Sequence, residues 1–196
     1  MTHPKEETTV VLIKPDGVKR GLIGEIIGRF EKRGLKVIAL KMASITRRQA
    51  DRHYPQDKEF LNGVGEKTLH DHKEYNVDVI KVFGTNNPLD IGKQLRVWMI
   101  DFLTLGPLIA MAVQGIHAIP MVRKIVGNTL PSRAEMGTIR GDFSVDSAIL
   151  GNMQKRAIHN LVHASGNARE AEHELKLWFT SKELHFYKRA EEDIMF

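Results

Sequence analysis

TTVVLIKPDGVKRGLIGEIIGRFEKRGLKVIALKM, residues 8–42, carries the alternation that decides the fold. Thr8 to Ile13 is a short β-branched apolar run and predicts a buried strand. Lys14-Pro15-Asp16-Gly17 follows, and Pro, Asp and Gly together predict a sharp turn. Leu22, Ile26, Ile27 and Phe30 recur at helical spacing, and Gly34 stands where a helix C-cap belongs. Leu35 to Met42 then alternates into a second strand. Further along, Thr46 is suited to cap a short helix carrying Arg48, Asp51 and Tyr54. Pro107 to Val113 (PLIAMAV) reads as a third strand closed by Gly115, and Ile119 to Val126 as a helix ending at Gly127-Asn128. After a long loop containing Pro131, Gly137 and Gly141, a fourth strand is expected over Ala157 to Val162. Ala168 to Phe179 is expected as a helix with Leu175 and Trp178 on its apolar side. That order predicts an α+β domain of the ferredoxin-like, split βαβ kind.

Residues 55–105 interrupt the pattern. Asn87-Pro88 has the form of an N-cap followed by Pro at the first helical position. Ile91, Leu95, Trp98 and Phe102 then recur in four-residue steps and predict an amphipathic helix over 88–104. A second helix is expected over Val64 to Tyr75. There is no internal repeat and no low-complexity segment.

A chain of 196 residues is long enough to bury a real core. Its 42% hydrophobic and 27% charged residues are those of an ordinary globular protein. No apolar run approaches the roughly 20 residues that span a bilayer. The opening MTHPKEETTV passes from polar residues straight into a strand, which is not the pattern of a secretory signal. With no cysteine there is no disulfide and no thiolate metal site, and a cytosolic location is expected. The net charge of +5 suits an anionic substrate, although the basic residues are dispersed along the chain.

Of nine histidines, His163 has the most suggestive setting. The strand AIHNLV runs into His163-Ala164-Ser165-Gly166, and a helix begins at once. A side chain there faces the N–H groups and positive dipole end of a helix, which favour phosphate. Glu174 lies eleven residues on, about three helical turns away, where its carboxylate could orient the imidazole and leave the other ring nitrogen as nucleophile. A hydrogen-bonded structural histidine fits the same local pattern. Gly137-Thr138-Ile139-Arg140-Gly141-Asp142-Phe143 offers a two-glycine loop whose backbone could approach a ligand, with Arg140 as a planar fork for phosphate oxygens. Lys14, Arg123, Thr129 and Arg140 could form a polyphosphate cradle if the fold unites them, or remain surface groups if it does not.

Two other stretches carry less. Gly63-Val64-Gly65-Glu66-Lys67-Thr68 resembles the tail of a P-loop, but Glu66 separates the glycine from the lysine, so it reads as the start of a helix. In His70-Asp71-His72 the two histidines, two residues apart on a helix, point in different directions, so no metal site is expected.

Taken together, four stretches resemble a nucleoside diphosphate kinase. They are TVVLIKPDGVKRGLIGEIIGRFEKRGLKVIALKM, GPLIAMAVQG, VRKIVGNTLPSRAEMGTIRGDF and NLVHASGNAREAEHELKLWF, and they cover nearly all of the chain outside two insertions. IKPDGV, GTIRGDF and the NxxHxS strand end are specific in combination.

The resemblance implies a four-stranded antiparallel sheet covered by helices. It also implies ping-pong transfer of a γ-phosphoryl group from a nucleoside triphosphate to a diphosphate. Carried over by motif, His163 is the phosphorylated nucleophile, Glu174 orients its ring, and Ser165 supports that carboxylate. Lys14 and Asn160 contact the ribose 3′-hydroxyl side and the phosphates, while Arg123, Thr129 and Arg140 hold the phosphates and Tyr54 lies close to the histidine. The resemblance implies Mg²⁺ chiefly as the nucleotide's own counter-ion, so no dedicated protein cage is expected. A homo-oligomer, tetramer or hexamer, is expected, and neither a membrane nor nucleic acid is an expected partner.

The sequence departs from the common form in several places. A mainly helical insertion is expected at about 55–105 of a single domain spanning 1–196, and a shorter one at about 144–157. Gly166 stands where an acidic residue is usual, and Leu130 where asparagine is usual. Phe60 is a candidate for stacking on the base, but the insertion blurs the register and leaves it unassigned. A rival reading keeps the scaffold as a regulatory module that binds nucleotide or nucleic acid without turnover.

Overall fold

The computed structural model describes residues 6–195, so the reading of the opening residues falls partly outside that range. The chain divides into two compact units. The first takes the described parts of Met1–Ala43 and Val162–Phe196 with Leu108–Gly127, and the second takes Ser44–Pro107 and Asn128–Leu161.

The first unit is built on a four-stranded antiparallel sheet. Its strands are β1 (Glu6–Ile13), β2 (Lys36–Ala43), β3 (Leu108–Ile116) and β4 (Val162–Ala164), in the order β2-β3-β1-β4. This is the expected split βαβ sheet, and its centre is the apolar half of each inner strand, Val10 to Ile13 of β1 and Leu108 to Val113 of β3. Val10 to Ile13 and Ala110 to Val113 have no exposed surface, as strands covered on both faces require. β1 and β3 pair from Glu6↔Ile116 to Ile13↔Ile109, and β4 adds Leu12↔His163 on the other side.

Between β1 and β2 run α1 (Pro15–Lys19) and α2 (Ile23–Lys32). The turn expected at Lys14–Gly17 is therefore the start of a short helix. Pro15 fits the first helical position because the missing N–H has no intrahelical partner there, and Gly34, with φ of 86°, follows the end of α2. β2 bulges between Val37 and Ala39. The carbonyl of Ile38 in that bulge accepts a 2.8 Å bond from the His185 N–H, so the C-terminal segment fastens to the edge strand.

The second unit is helical. It contains α3 (Arg47–His53), α4 (Lys58–Glu74), α5 (Val79–Phe83) and α6 (Pro88–Leu103). The helix expected over 88–104 is α6, capped by Asn87 as its sequence predicts, and Thr46 caps α3 with Gln49 in a reciprocal capping box. α4 is longer than the expected segment and is capped by Asp57, whose side chain accepts from the Phe60 N–H. The Gly63–Thr68 stretch thus lies inside α4. α4 and α6 meet backbone to backbone. A Cβ on Gly65 would fall 1.9 Å from the Pro88 carbonyl oxygen, and one on Gly92 would fall 2.0 Å from that of Leu61.

The remaining helices are α7 (Ala118–Val126), α8 (Ile139–Phe143), α9 (Ala148–Met153), α10 (Ala168–Trp178) and α11 (Glu192–Met195). α7, α10 and α11 belong to the first unit, and α8 and α9 to the second. β4 is shorter than the expected Ala157–Val162 strand and starts where that one was to end. Lys155 and Leu161 both take positive φ, 52° and 67°, which breaks an extended run into that strand. None of the helices among the described residues is long and apolar enough to cross a membrane.

Candidate active site

In the first unit, β4 pairs with β1 and carries His163 opposite Leu12. The Ser165 N–H continues toward β1 with a 3.2 Å bond to the Val10 carbonyl. α10 then starts after its N-cap Asn167 and buries Ala171, Glu174 and Trp178, which share one face. A carboxylate in that apolar stripe needs partners, and His163 and Ser165 supply them. Glu174 Oε1 accepts from His163 Nε2 at 2.8 Å, and its Oε2 accepts from Ser165 Oγ at 2.7 Å. Ser165 is wholly buried and also accepts from the Val10 N–H at 3.2 Å. The carboxylate holds the ring by Nε2–H, which makes Nδ1 the lone-pair nitrogen.

Leu161, two residues before His163, is buried in a left-handed conformation that an L side chain rarely adopts. Lys14 follows Ile13, which pairs with Val162, so it stands just past the ladder that carries the histidine. It is almost fully buried. Arg123 is exposed on α7.

The helix terminus beside His163 differs from the expectation. Glu170 Oε2 already takes the Gly166 N–H at 2.7 Å, and Asn167 Oδ1 takes the Glu170 N–H at 2.9 Å. The Gly166 and Glu170 N–H groups at this terminus are thus taken by side chains of the same segment. The space that a longer side chain at Gly166 would enter is filled by the Glu170 carboxylate, 2.7 Å from an ideal Cβ.

In the second unit, Thr129, Arg140 and Asn160 come together. Arg140 Nε donates to the Asn160 carbonyl at 3.1 Å, and Asn160 Nδ2 donates to the Thr129 carbonyl at 2.8 Å. Arg140 and Asn160 are buried and Thr129 is exposed. Arg140 sits in α8, so the expected two-glycine loop is in part a helix. Gly137 has φ of 88°, but Gly141 lies within α8, pressed against its own chain. A Cβ on Gly141 would fall 2.0 Å from the Glu135 carbonyl oxygen. The close approach is to backbone, and it fixes Arg140 rather than opening the loop.

Tyr54 is buried at the end of α3, and sequence reasoning missed what secures it. Arg96 of α6 donates from Nη2 to the carbonyls of Asp51 at 2.8 Å and Tyr54 at 2.9 Å, and from Nε to that of Pro55 at 2.9 Å. It also pairs with the Asp51 carboxylate at 2.9 Å. A cation at the carbonyl end of a helix satisfies groups the helix cannot.

Asp146 was missed as well. It receives Arg156 Nη1 at 2.5 Å and the His159 N–H at 2.7 Å, and so closes the segment leading to Asn160. Burial would raise its pKa, but Arg156 and the N–H groups of His159 and Ser147 more than offset that and hold it below 3.8. One signal was available, an Asp and an Arg ten residues apart around a short capped helix.

His70, Asp71 and Glu74 offer ligand atoms within 4.8 Å of one another. Arg133 already supplies the opposing charge, with Nη2 2.9 Å from Asp71 and 2.6 Å from Glu74. His72 is buried and turned to Asn152 Nδ2 at 3.2 Å.

Comparisons with known proteins bear on both groups. A family model described as nucleoside diphosphate kinase matches residues 7–66 and 91–184, which include positions in both units. The nucleoside diphosphate kinase of Pyrobaculum aerophilum is 43% identical over 178 residues, 91% of this chain and 97% of that protein. The one from Archaeoglobus fulgidus is 37% identical over 187 residues, 95% of each. Among solved structures, an NDP kinase from Pyrobaculum aerophilum is similar with a TM-score of 0.89 and 41% identity, covering 92% of this chain and all of that one. A transition state mimic of nucleoside-diphosphate kinase from Borrelia burgdorferi, with bound vanadate and ADP, has a TM-score of 0.76 and 33% identity. It covers 97% of this chain and 96% of its own.

Proposed function

The chain belongs to the nucleoside diphosphate kinase family, and from there we propose that it transfers phosphoryl groups between nucleotides by way of His163. The observation that carries this reading is the chain of bonds from His163 Nε2 to Glu174 and on to Ser165.

In the first half-reaction, Nδ1 of His163 attacks the γ-phosphorus of a nucleoside triphosphate. The N–P bond forms, the bond to the β-phosphate oxygen breaks, and the diphosphate leaves with that electron pair. Phosphorylation of Nδ1 makes the ring cationic while Nε2 keeps its proton, and the Glu174 carboxylate offsets the developing charge. In the second half-reaction a new diphosphate attacks the same phosphorus and the ring returns to its neutral form. Arg140, Arg123, Lys14 and Thr129 are assigned to the phosphates, and Lys14 and Asn160 to the ribose side. Little covalent chemistry beyond one nucleophile and positioned cations is needed.

Mg²⁺, on this reading, is bound by the nucleotide's own phosphates. The only carboxylate in the assigned set is Glu174, which is committed to His163 and Ser165, so the donor set does not fit a metal cage. Tyr54 is assigned to the nucleotide on the family resemblance alone. Further parts of the proposal are a cytoplasmic homo-oligomer, tetramer or hexamer, and one kinase domain carrying helical insertions. Light scattering on the purified protein decides the assembly. A module that only binds has no need of a nucleophile with an orienting acid, so that rival is set aside.

Double displacement has a kinetic signature. Varying the triphosphate at several fixed diphosphate concentrations is expected to give parallel double-reciprocal lines. Intersecting lines would mean direct transfer between two bound nucleotides, without an enzyme-borne intermediate.

A further inference from the structure

The family match stops at residue 66 and resumes at 91, and the intervening segment includes the last part of α4 with Asp71 and Glu74. We infer that this inserted part of α4 is a buttress for the Arg140 segment, acting through Arg133 as a positioning residue. The inference rests on the kinase reading above, because that reading assigns Arg140 and Thr129 to the phosphates.

Between Thr129 and Ile139 the chain has only a single 3₁₀ turn, Pro131–Arg133, and much of it is exposed. Such a segment is mobile unless something holds it. Asn160 holds it at both ends, taking Arg140 Nε on its carbonyl and giving its amide to Thr129. Arg133 holds its middle. Both carboxylates converge on one guanidinium nitrogen, Nη2, and the Asp71 side chain is only 10% exposed. The helix that supplies them is anchored in turn, since α4 meets α6 backbone to backbone at Gly65 and Gly92.

The path from Arg133 to Arg140 is short and stiff. The two residues after Arg133 present their carbonyls to α8, and an added Cβ on Gly141 would fall 2.0 Å from that of Glu135 and 3.0 Å from that of Ala134. Thr138 donates its N–H at 3.2 Å and its hydroxyl at 2.6 Å to the same Glu135 carbonyl. Its Oγ1 then accepts the Gly141 N–H at 3.1 Å. Loss of the Arg133 clamp frees Ala134–Glu135 and with them the helix that carries Arg140. Isolated exposed ion pairs do little, but two carboxylates on one cation fix where a loop sits.

The test is a double variant, Asp71→Asn with Glu74→Gln, compared with wild type that has first been shown to transfer phosphoryl groups. A wild type that transfers none fails the kinase reading before any variant is compared. Hydrogen exchange of the 134–142 amides is expected to quicken by about tenfold while β1 amides are unchanged, the mark of local opening. The KM for the triphosphate is expected to rise by roughly three- to tenfold with kcat nearly constant, as for lost binding that ground and transition state share. Because both carboxylates meet a single nitrogen, Arg133→Lys is expected to retain most of the wild-type KM where Arg133→Met does not. Unchanged exchange in 134–142, unchanged KM, or equal behaviour of the Lys and Met variants each overturns the inference.

Discussion

Replacing Ser165 by alanine tests the buried chain behind His163 with numbers that follow from its geometry. The hydroxyl is wholly buried, donates to Glu174 Oε2 at 2.7 Å and accepts the Val10 N–H at 3.2 Å. A hydrogen bond to a charged group contributes about 1.5–3 kcal/mol, and a buried N–H left without an acceptor costs about 1–3 kcal/mol. Because Glu174 keeps His163 and the strand can relax, we expect a net loss of about 2–4 kcal/mol. In a protein of this size about 1 kcal/mol moves Tm by roughly 2–4 °C, so calorimetry is expected to show a fall of about 5–15 °C. The remaining stability suffices for folding. The same substitution loosens the carboxylate that offsets charge on the ring, so rapid-quench phosphorylation of His163 is expected to slow by about tenfold or less. A Tm within a degree of wild type together with an unchanged phosphorylation rate would refute the reasoning, since two buried bonds would then have no measurable effect.

Three other substitutions probe the second unit. Burial lowers the pKa of His72 below 6.5 despite the Val77 carbonyl and Asp71. The folded form therefore binds fewer protons than the unfolded one, and stability, complete above about pH 6.5, is lost as pH falls toward the folded value. Denaturant melts from pH 8 to 5 are expected to show that decline, with His72→Gln flattening it. Asp146 is depressed below 3.8, so its contribution is present above that pH and lost as acid protonates it. Asp146→Asn is expected to be less stable at pH 7 and to converge with wild type in strong acid. Gly92→Ala forces a methyl to within 2.0 Å of the Leu61 carbonyl oxygen, so urea melts are expected to register a loss of about 3 kcal/mol. A loss below about 0.5 kcal/mol would mean that α4 and α6 are not in backbone contact.

The sheet was legible because the β-branched run at Thr8–Ile13, the apolar run at 107–113 and the helical spacing between them are local signals. Lys14–Gly17 misled, since Pro and Gly mark turns and helix starts alike. The fourth strand was shifted because Leu161 adopts φ of 67°, which nothing in AIHNLV announces. His163 and Glu174 were singled out because a histidine at a strand end and a carboxylate on the next helix lie within one local span. Ser165 entered only through the family resemblance, and the structure joins the three by hydrogen bonds. Arg96 and Arg133 were not found. Arg96 grips Tyr54 across 42 positions and Arg133 grips Glu74 across 59, and no local pattern reports such pairs. Gly141 misled for a different reason, since the backbone its missing Cβ makes room for is that of Glu135 in its own chain.

Intact mass after brief incubation with ATP and Mg²⁺, measured beside His163→Ala, tests the central claim most directly. The account predicts the gain of one acid-labile phosphoryl group in the wild type and none in the variant. A protein that gains no phosphoryl group while still binding nucleotide, or a His163→Ala variant that gains one, would contradict it.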